Sequence, residues 1–128
     1  MPVPLINILV VDDDFLVLAG VIRMLREYRI RPVSHPGYAS RAMRDQAPDV
    51  VVTDLHLQAG LSGLEVLQAA SEVAPNAGRI LMSGDPQAEL QCWPACVDLF
   101  LRKPFDGADL RAAVAHCLRL RRADVVAR

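Results

Sequence analysis

Three consecutive carboxylates, Asp12, Asp13 and Asp14, follow the apolar run "LINILVV" near the start of the sequence. Two like charges about 4 Å apart repel one another by roughly 4 kcal/mol at an effective dielectric constant near 20. A chain that places three of them at the end of a buried segment therefore has a use for the negative charge. Carboxylate oxygens at this density suit a hard cation such as Mg²⁺, which binds one or two carboxylates and keeps several waters.

Three further groups that could do chemistry also follow apolar runs. Asp54 ends "DVVVTD", Ser83 ends "RILMS", and Lys103 comes shortly after "VDLFL". Taken one at a time, such residues are more often helix caps, turn residues or surface lysines. Together they suit phosphoryl transfer, because a carboxylate can attack as the nucleophile while a metal and an ammonium group neutralise charge on the phosphoryl oxygens.

The elements that must position these groups are five strands separated by helices. "LINILVV" and "DVVVTD" are continuous apolar runs, typical of strands that are covered on both faces. "RILMS", "VDLFL" and the weaker "RPVSH" complete the set, and Pro32 in the last run predicts an edge strand because proline cannot donate to a ladder. We expect helices from Phe15 to about Tyr28, from Ala39 to Gln46, over "GLEVLQAASEV", over a short segment interrupted by Pro94, and after Asp106. Asp14, Ser62 and Asp106 are the predicted N-caps.

This alternation predicts a doubly wound, five-stranded parallel α/β domain of the flavodoxin-like (βα)5 type, with strand order 2-1-3-4-5. In such a sheet, ligands bind beyond the carboxyl ends of the strands, at the switch point between the first and third strands. The order therefore brings Asp12, Asp13 and Asp54 together, with Ser83 and Lys103 on the same rim.

Length and charge narrow the class of protein. A chain of 128 residues forms a single domain, and a net charge of −1 without a long basic run argues against a nucleic-acid groove or an anionic membrane face within this domain. No apolar run is long enough to span a bilayer, so we expect a cytoplasmic protein. Cys92, Cys96 and Cys117 lack a histidine that would complete a metal site, and we expect them to be small buried thiols.

The motifs "ILVVDD", "VVVTDLHL", "LMSGD" and "FLRKPF", at these spacings, resemble the receiver domain of two-component response regulators over nearly the whole chain. The resemblance implies that Asp54 accepts a phosphoryl group from a phosphohistidine of a sensor histidine kinase or a histidine phosphotransfer protein. It implies that Asp12, Asp13, Asp54 and the backbone carbonyl of His56 hold Mg²⁺, and that Lys103 contacts the phosphoryl group. Such a domain is not an enzyme; it catalyses only its own phosphorylation and dephosphorylation.

The resemblance also implies a conformational switch and residues that control how long the phosphorylated state lasts. Ser83 and Phe100 occupy the hydroxyl and aromatic switch positions, and His56 and Asp85 flank the path of the water that hydrolyses the acyl phosphate. The Lys103–Pro104 bond is expected to be cis. The domain covers residues 1–128, alone or as the N-terminal part of a longer regulator in a phosphorelay, and acts on an unknown effector domain or protein.

Two features depart from the usual receiver sequence. Gln58 stands where receivers usually carry a proline, and the glycine that follows is displaced by one position to Gly63, so this loop is one residue longer. Trp93, beside Pro94, either packs against the sheet edge, which we favour, or is an exposed anchor for a partner.

Two other functions stay open. One is a receiver fold that docks partners without phosphorylation. The other is a haloacid dehalogenase-type phosphatase, although His56 stands where that family needs a second acid.

Overall fold

Five parallel strands form one sheet in the order β2-β1-β3-β4-β5, which confirms the fold class and strand order predicted from the sequence. The structure, a computed structural model, describes residues 5–58 and 60–127, with side chains as far as residue 120. The strands are β1 (Asn7–Val11), β2 (Arg29–Val33), β3 (Val50–Asp54), β4 (Gly78–Ser83) and β5 (Leu99–Arg102).

Four α-helices accompany the sheet in the described residues, one fewer than the sequence predicts. They are α1 (Phe15–Met24), α2 (Ala39–Asp45), α3 (Gly63–Val73) and α4 (Gly107–Ala127). The crossover from β4 to β5 contains only a 3-10 turn, Ala88–Leu90. The sequence predicted a short helix here, and the structure has no α-helix. Pro94 lacks the N–H that an α-helix would need at this position. No helix in the part of the chain described here is long and apolar enough to cross a membrane.

The sheet is buried on both faces, which explains its continuous apolar runs. Alternate residues of the central strands point to opposite sides. One layer packs under α2 and α3 and includes Leu9, Val51 and Leu81. The other packs under α1 and α4 and includes Val10 and Val52. The last helix contributes Leu110, Val114 and Cys117 to this second layer, and all three are buried.

The end of α1 and the start of β2 differ from the sequence prediction for one shared reason. Helix α1 ends at Met24 and not near Tyr28, and β2 begins at Arg29, two residues earlier than predicted. The backbone N–H of Arg29 donates to the carbonyl of Ile6 at 2.9 Å, so pairing with β1 starts there and the chain must leave the helix sooner. Pro32 lies on the edge strand, opposite Val10, as predicted.

The predicted N-caps are present, and they fix where the helices begin at the rim of the sheet. Asp14 accepts from the N–H groups of Leu16 and Val17, at 2.9 and 3.4 Å. Ser62 accepts from the N–H of Leu64 at 3.1 Å. Asp106 and Asp109 each accept from the backbone N–H of the other, at 2.8 and 3.2 Å, so they close the first turn of α4 reciprocally.

Candidate functional site

An acidic pocket lies where β1 and β3 end side by side, and it consists of Asp12, Asp13 and Asp54. One carboxylate oxygen from each residue falls within 4.8 Å of the other two. The side chain of Asp12 is 1% exposed and that of Asp54 is 13% exposed. Three convergent carboxylates that are only partly hydrated fit a hard divalent cation, because oxygen ligands of this kind are those that Mg²⁺ and Ca²⁺ prefer.

Lys103 supplies the positive charge that the acidic pocket needs. Its Nζ lies 3.1 Å from Asp12 Oδ2 and 3.3 Å from Asp54 Oδ1. The backbone N–H of Lys103 donates to the carbonyl of Ser83 at 2.9 Å, so the end of β4 fixes where this side chain begins. The Lys103–Pro104 bond is cis, as predicted.

The environment of Asp54 favours the protonated form of its carboxyl group. Burial raises the pKa of Asp54, and the negative charges of Asp12 and Asp13 raise it further. The ammonium group of Lys103 acts in the opposite direction, through its charge and its hydrogen bond, but does not cancel the effect of burial. A carboxylate with a raised pKa is more basic, and so a better nucleophile, than one in water.

The three consecutive carboxylates have separate partners. Asp12 is held by Lys103 and by the backbone N–H of Asp14, at 2.9 Å from Asp12 Oδ1. Asp13 accepts from the backbone N–H of Gln58 at 2.9 Å. Asp14 points away from the pocket and caps α1, as predicted. Two carboxylates are thus available to a metal and the third belongs to a helix end.

The loop after Asp54 returns to the end of β3 despite its extra residue. His56 and Ser62 form an isolated antiparallel bridge, and Gly60 between them has a φ of 71°, in the left-handed region that favours glycine. Gly63 packs directly against the backbone of Asp54, and a Cβ at this position would overlap the Asp54 carbonyl oxygen. The displaced glycine therefore keeps the close approach that holds Asp54 in place.

Ser83 and Phe100, the predicted switch residues, lie on neighbouring strands. Ser83 is fully buried at the end of β4, and its Oγ accepts from the backbone N–H of Asp85 at 3.0 Å. Phe100, on β5, is half-buried and stacks on Trp93, with ring centroids 5.7 Å apart and an interplanar angle of 19°. The favoured prediction for Trp93, packing at the sheet edge, is confirmed.

His56 and Asp85, which are predicted to flank the path of the hydrolytic water, lie next to each other at the rim of the sheet. His56 Nε2 lies 3.6 Å from Asp85 Oδ2, and the two side chains are 67% and 40% exposed. The pairing joins the loop after β3 to the loop after β4. The predicted use of the His56 backbone carbonyl as a metal ligand stays a prediction.

Two contacts of the site carry no signal in the sequence. The hydrogen bond to Asp13 comes from the backbone N–H of Gln58, which any residue except proline could donate. The stack of Trp93 on Phe100 joins residues whose contact depends on the path of a loop. The cysteine prediction was partly wrong: Cys117 is buried, but Cys92 is exposed and Cys96 is only half-buried, because both lie in the non-helical crossover.

Comparison with known proteins shows which family this chain resembles in sequence. The response regulator receiver domain family matches residues 8–115. A protein of Arabidopsis thaliana described as a two-component response regulator, ARR21, is 30% identical over 109 residues, which are 82% of this chain. The chain spans about a fifth of the length of the curated relatives it matches, 18% and 22%.

Two solved structures share the fold of this chain. A response regulator receiver protein from Sinorhizobium medicae WSM419 is 29% identical, with a TM-score of 0.80 over 91% of this chain and 97% of that one. A CheY-like receiver domain protein from Methanospirillum hungatei JF-1 has a TM-score of 0.84 over 94% and 99% of the two chains. At 22% identity, this second likeness concerns the fold alone.

Proposed function

The chain belongs to the response regulator receiver domain family, and on that premise we propose that it is a phosphorylation-dependent signalling switch. Asp54 accepts a phosphoryl group from a phosphohistidine of a sensor histidine kinase or a histidine phosphotransfer protein. The observation that carries the proposal is the position of Asp54, with Lys103 Nζ at 3.3 Å and two further carboxylates in the same pocket. Receiver domains are signalling domains and not classical enzymes, so the chemistry is limited to loading and unloading Asp54.

The transfer step uses groups that already face one another. A carboxylate oxygen of Asp54 attacks phosphorus, an O–P bond forms, and the N–P bond of the phosphohistidine breaks, so that the imidazole leaves with the bonding electron pair. Lys103 neutralises part of the charge on the phosphoryl oxygens.

The acidic pocket would hold Mg²⁺ through Asp12, Asp13 and Asp54, joined by the backbone carbonyl of His56. When bound, this ion supplies neutralisation of charge on the equatorial phosphoryl oxygens. The partial burial of the three carboxylates supports this assignment, since their mutual repulsion is relieved by a dication as well as by Lys103.

Ser83 and Phe100 convert the loaded state into a change of surface. The Ser83 hydroxyl can donate to a phosphoryl oxygen, and Phe100 rotates inward as Ser83 moves, a shift between states that exist before loading. His56 and Asp85 obstruct the water that would hydrolyse the acyl phosphate. The output is an effector, either a domain of the same polypeptide or a separate protein, and we expect the domain of residues 1–128 to act in the cytoplasm.

Incubation with phosphoramidate and Mg²⁺, followed by intact-protein mass spectrometry, tests the proposal. We expect one phosphoryl group per chain in the wild type and none in Asp54→Asn, which keeps the volume of the side chain and removes the nucleophile. Asp14→Asn is the matched control, because asparagine also caps helices and Asp14 lies outside the pocket. Catalytic turnover of a generic phosphate ester would instead indicate a phosphatase, and an unlabelled wild type would indicate a docking module.

A further inference from the structure

Residues 84–98 run from the carboxyl end of β4 back to the amino end of β5 without an α-helix, and we call them the strap. Their only regular structure is the 3-10 turn Ala88–Leu90. Gln91, Cys92, Pro94 and Ala95 are exposed, while Trp93 turns inward. A segment with so few buried side chains and backbone hydrogen bonds is locally weak compared with the helices around it.

The C-terminal end of the strap is held by a buried arginine. Arg79 on β4, whose side chain is 10% exposed, donates from Nε to the carbonyl of Cys96 at 2.9 Å. The backbone N–H of Arg79 donates to Asp98 Oδ2 at 2.8 Å, and the guanidinium lies 3.9 Å from Asp98 Oδ1. Charge-assisted bonds in a buried setting are strong, so this end of the strap is fixed to the sheet.

The N-terminal end is held by a residue of the switch. The backbone N–H of Asp85 donates to Ser83 Oγ at 3.0 Å, and Asp85 Oδ1 accepts in turn from the N–H of Gln87 at 2.9 Å. The first turn of the strap therefore depends on the position of the Ser83 hydroxyl. A movement of that hydroxyl toward Asp54 draws this turn with it or breaks its first hydrogen bond.

The middle of the strap is held by Trp93 on Phe100. The rings are nearly parallel, at 19°, and both pack on the core layer beneath α2 and α3. An ion pair between Arg102 and Glu89, at 2.8 Å, also lies in this region. It joins two half-exposed side chains and therefore contributes little to the stability of the strap. A rotation of Phe100 removes the surface on which Trp93 lies.

We propose that the strap is an internal block on the switch: Trp93 holds Phe100 in the unloaded position, and loading of Asp54 releases Trp93 from Phe100. This proposal rests on the proposed function, since the loaded Asp54 is what attracts Ser83. The end held by Arg79 stays in place, so the strap opens from the Ser83 side. A phosphoryl signal thereby becomes a change in the exposure of Trp93 and of the strap around it.

Trp93 is the only tryptophan in the chain, so its fluorescence reports on the strap without substitution. Beryllofluoride with Mg²⁺ serves as the probe, and ¹⁹F NMR of the wild type reports whether it is bound. We expect binding to shift Trp93 emission to longer wavelength and to increase its quenching by acrylamide. A bound fluorine signal with unchanged Trp93 emission would overturn the strap and leave the proposed function standing. Absence of a bound fluorine signal would overturn the proposed function, and the strap with it.

A second measurement uses beryllofluoride affinity. If binding of beryllofluoride opens the strap, then a contact that keeps the strap closed must weaken that binding. Trp93→Ala removes the block, so we expect beryllofluoride to bind about three- to tenfold more tightly, as loss of a stacked aromatic pair predicts. Trp93→Phe keeps a ring on Phe100 and should bind like the wild type. Leu90→Ala, at an 80% exposed strap residue, is a further control and should change nothing. Equal or weaker binding by Trp93→Ala would mean that Trp93 only stabilises the fold.

Discussion

At the scale of single residues, the main feature is that Asp12, Asp13 and Asp14 have different hydrogen-bond partners and different roles. Each carboxylate has its own donor: Lys103, the N–H of Gln58, and the N–H groups at the start of α1. Their mutual repulsion is thereby offset before any metal binds. The donor on Asp13 is unusual, because the proline that receivers usually carry at this position has no N–H.

Gln58→Pro tests whether that backbone donor orients Asp13 for a metal. We expect the substitution to lower Mg²⁺ affinity about tenfold, the effect typical of losing a group that positions a ligand. Gln58→Ala keeps the N–H and should bind Mg²⁺ like the wild type. Isothermal titration calorimetry measures both, with Asp13→Ala, which removes the ligand itself, as the weak-binding reference. Equal affinities for Gln58→Pro and Gln58→Ala would show that the donor has no part in the metal site.

His56→Asn tests the control of phosphoryl lifetime. His56 Nε2 lies 3.6 Å from Asp85 Oδ2, and the shorter asparagine would break this pairing and leave more room for water. We expect the phosphorylated variant to lose its phosphoryl group several-fold faster than the wild type in Mg²⁺ buffer, measured by the decay of the phosphorylated mass. His116→Asn is the control, because His116 is exposed on α4 next to Cys117, which packs on Gly78 at the opposite end of the sheet. A decay as slow as that of the wild type would reject obstruction by His56.

At the scale of elements, the loop from β3 to α3 depends on one glycine. Gly63 donates its N–H to the carbonyl of Leu55 at 2.8 Å and leaves no space for a side chain beside Asp54. This contact explains how a loop one residue longer than usual still ends against the strand that carries Asp54.

Gly63→Ala should therefore destabilise the protein by about 2–4 kcal/mol, because its methyl group overlaps backbone that cannot move without displacing β3. Gly20→Ala is the matched control, and we expect it to change the free energy of unfolding in the opposite direction. Gly20 lies inside α1 with nothing within 4 Å of the added carbon, so alanine should stabilise the fold by about 0.5–1 kcal/mol. Urea unfolding measures both free energies. A Gly63→Ala variant as stable as the wild type would contradict the close approach.

At the scale of the whole molecule, the acidic pocket costs folding free energy. Three carboxylates are gathered at one rim, and burial raises the pKa of Asp54 above its ordinary value. The folded state therefore binds a proton at Asp54 more readily than the unfolded state does. Above the folded pKa, where Asp54 is ionised in both states, this residue lowers stability; below the ordinary pKa of aspartic acid, where it is protonated in both, it has no such effect.

Asp54→Asn should thus raise the melting temperature near neutral pH, and the gain should shrink as the pH falls to about 4. For a domain of this size, each kcal/mol corresponds to about 4 °C, which differential scanning calorimetry resolves. Asp45→Asn, at a half-exposed carboxylate paired with Arg31, should change the melting temperature little at either pH. A gain for Asp54→Asn that is the same at both pH values would contradict the destabilising role of the Asp54 charge.

The sequence by itself determined the strands, their order and the rim on which the reactive groups meet. The reason is that burial on both faces produces continuous apolar runs that can be read locally, as in "LINILVV". Parallel strands joined by crossovers then put every carboxyl end at one edge, so Asp12, Asp13, Asp54, Ser83 and Lys103 could be placed together without coordinates. The caps Asp14 and Asp106 were also predictable, since a cap acts within four residues.

Only the tertiary structure decided which partner each group takes. The bond from Gln58 to Asp13 and the stack of Trp93 on Phe100 join residues from loops whose paths no local pattern specifies. The end of α1 at Met24 was decided by where β2 begins to pair with β1. The crossover before β5 lost its helix completely because Pro94 removed a donor while Arg79 and Phe100 offered the strap other contacts. Those contacts are non-local, so their energies depend on the assembled sheet and not on the residues beside them in the chain.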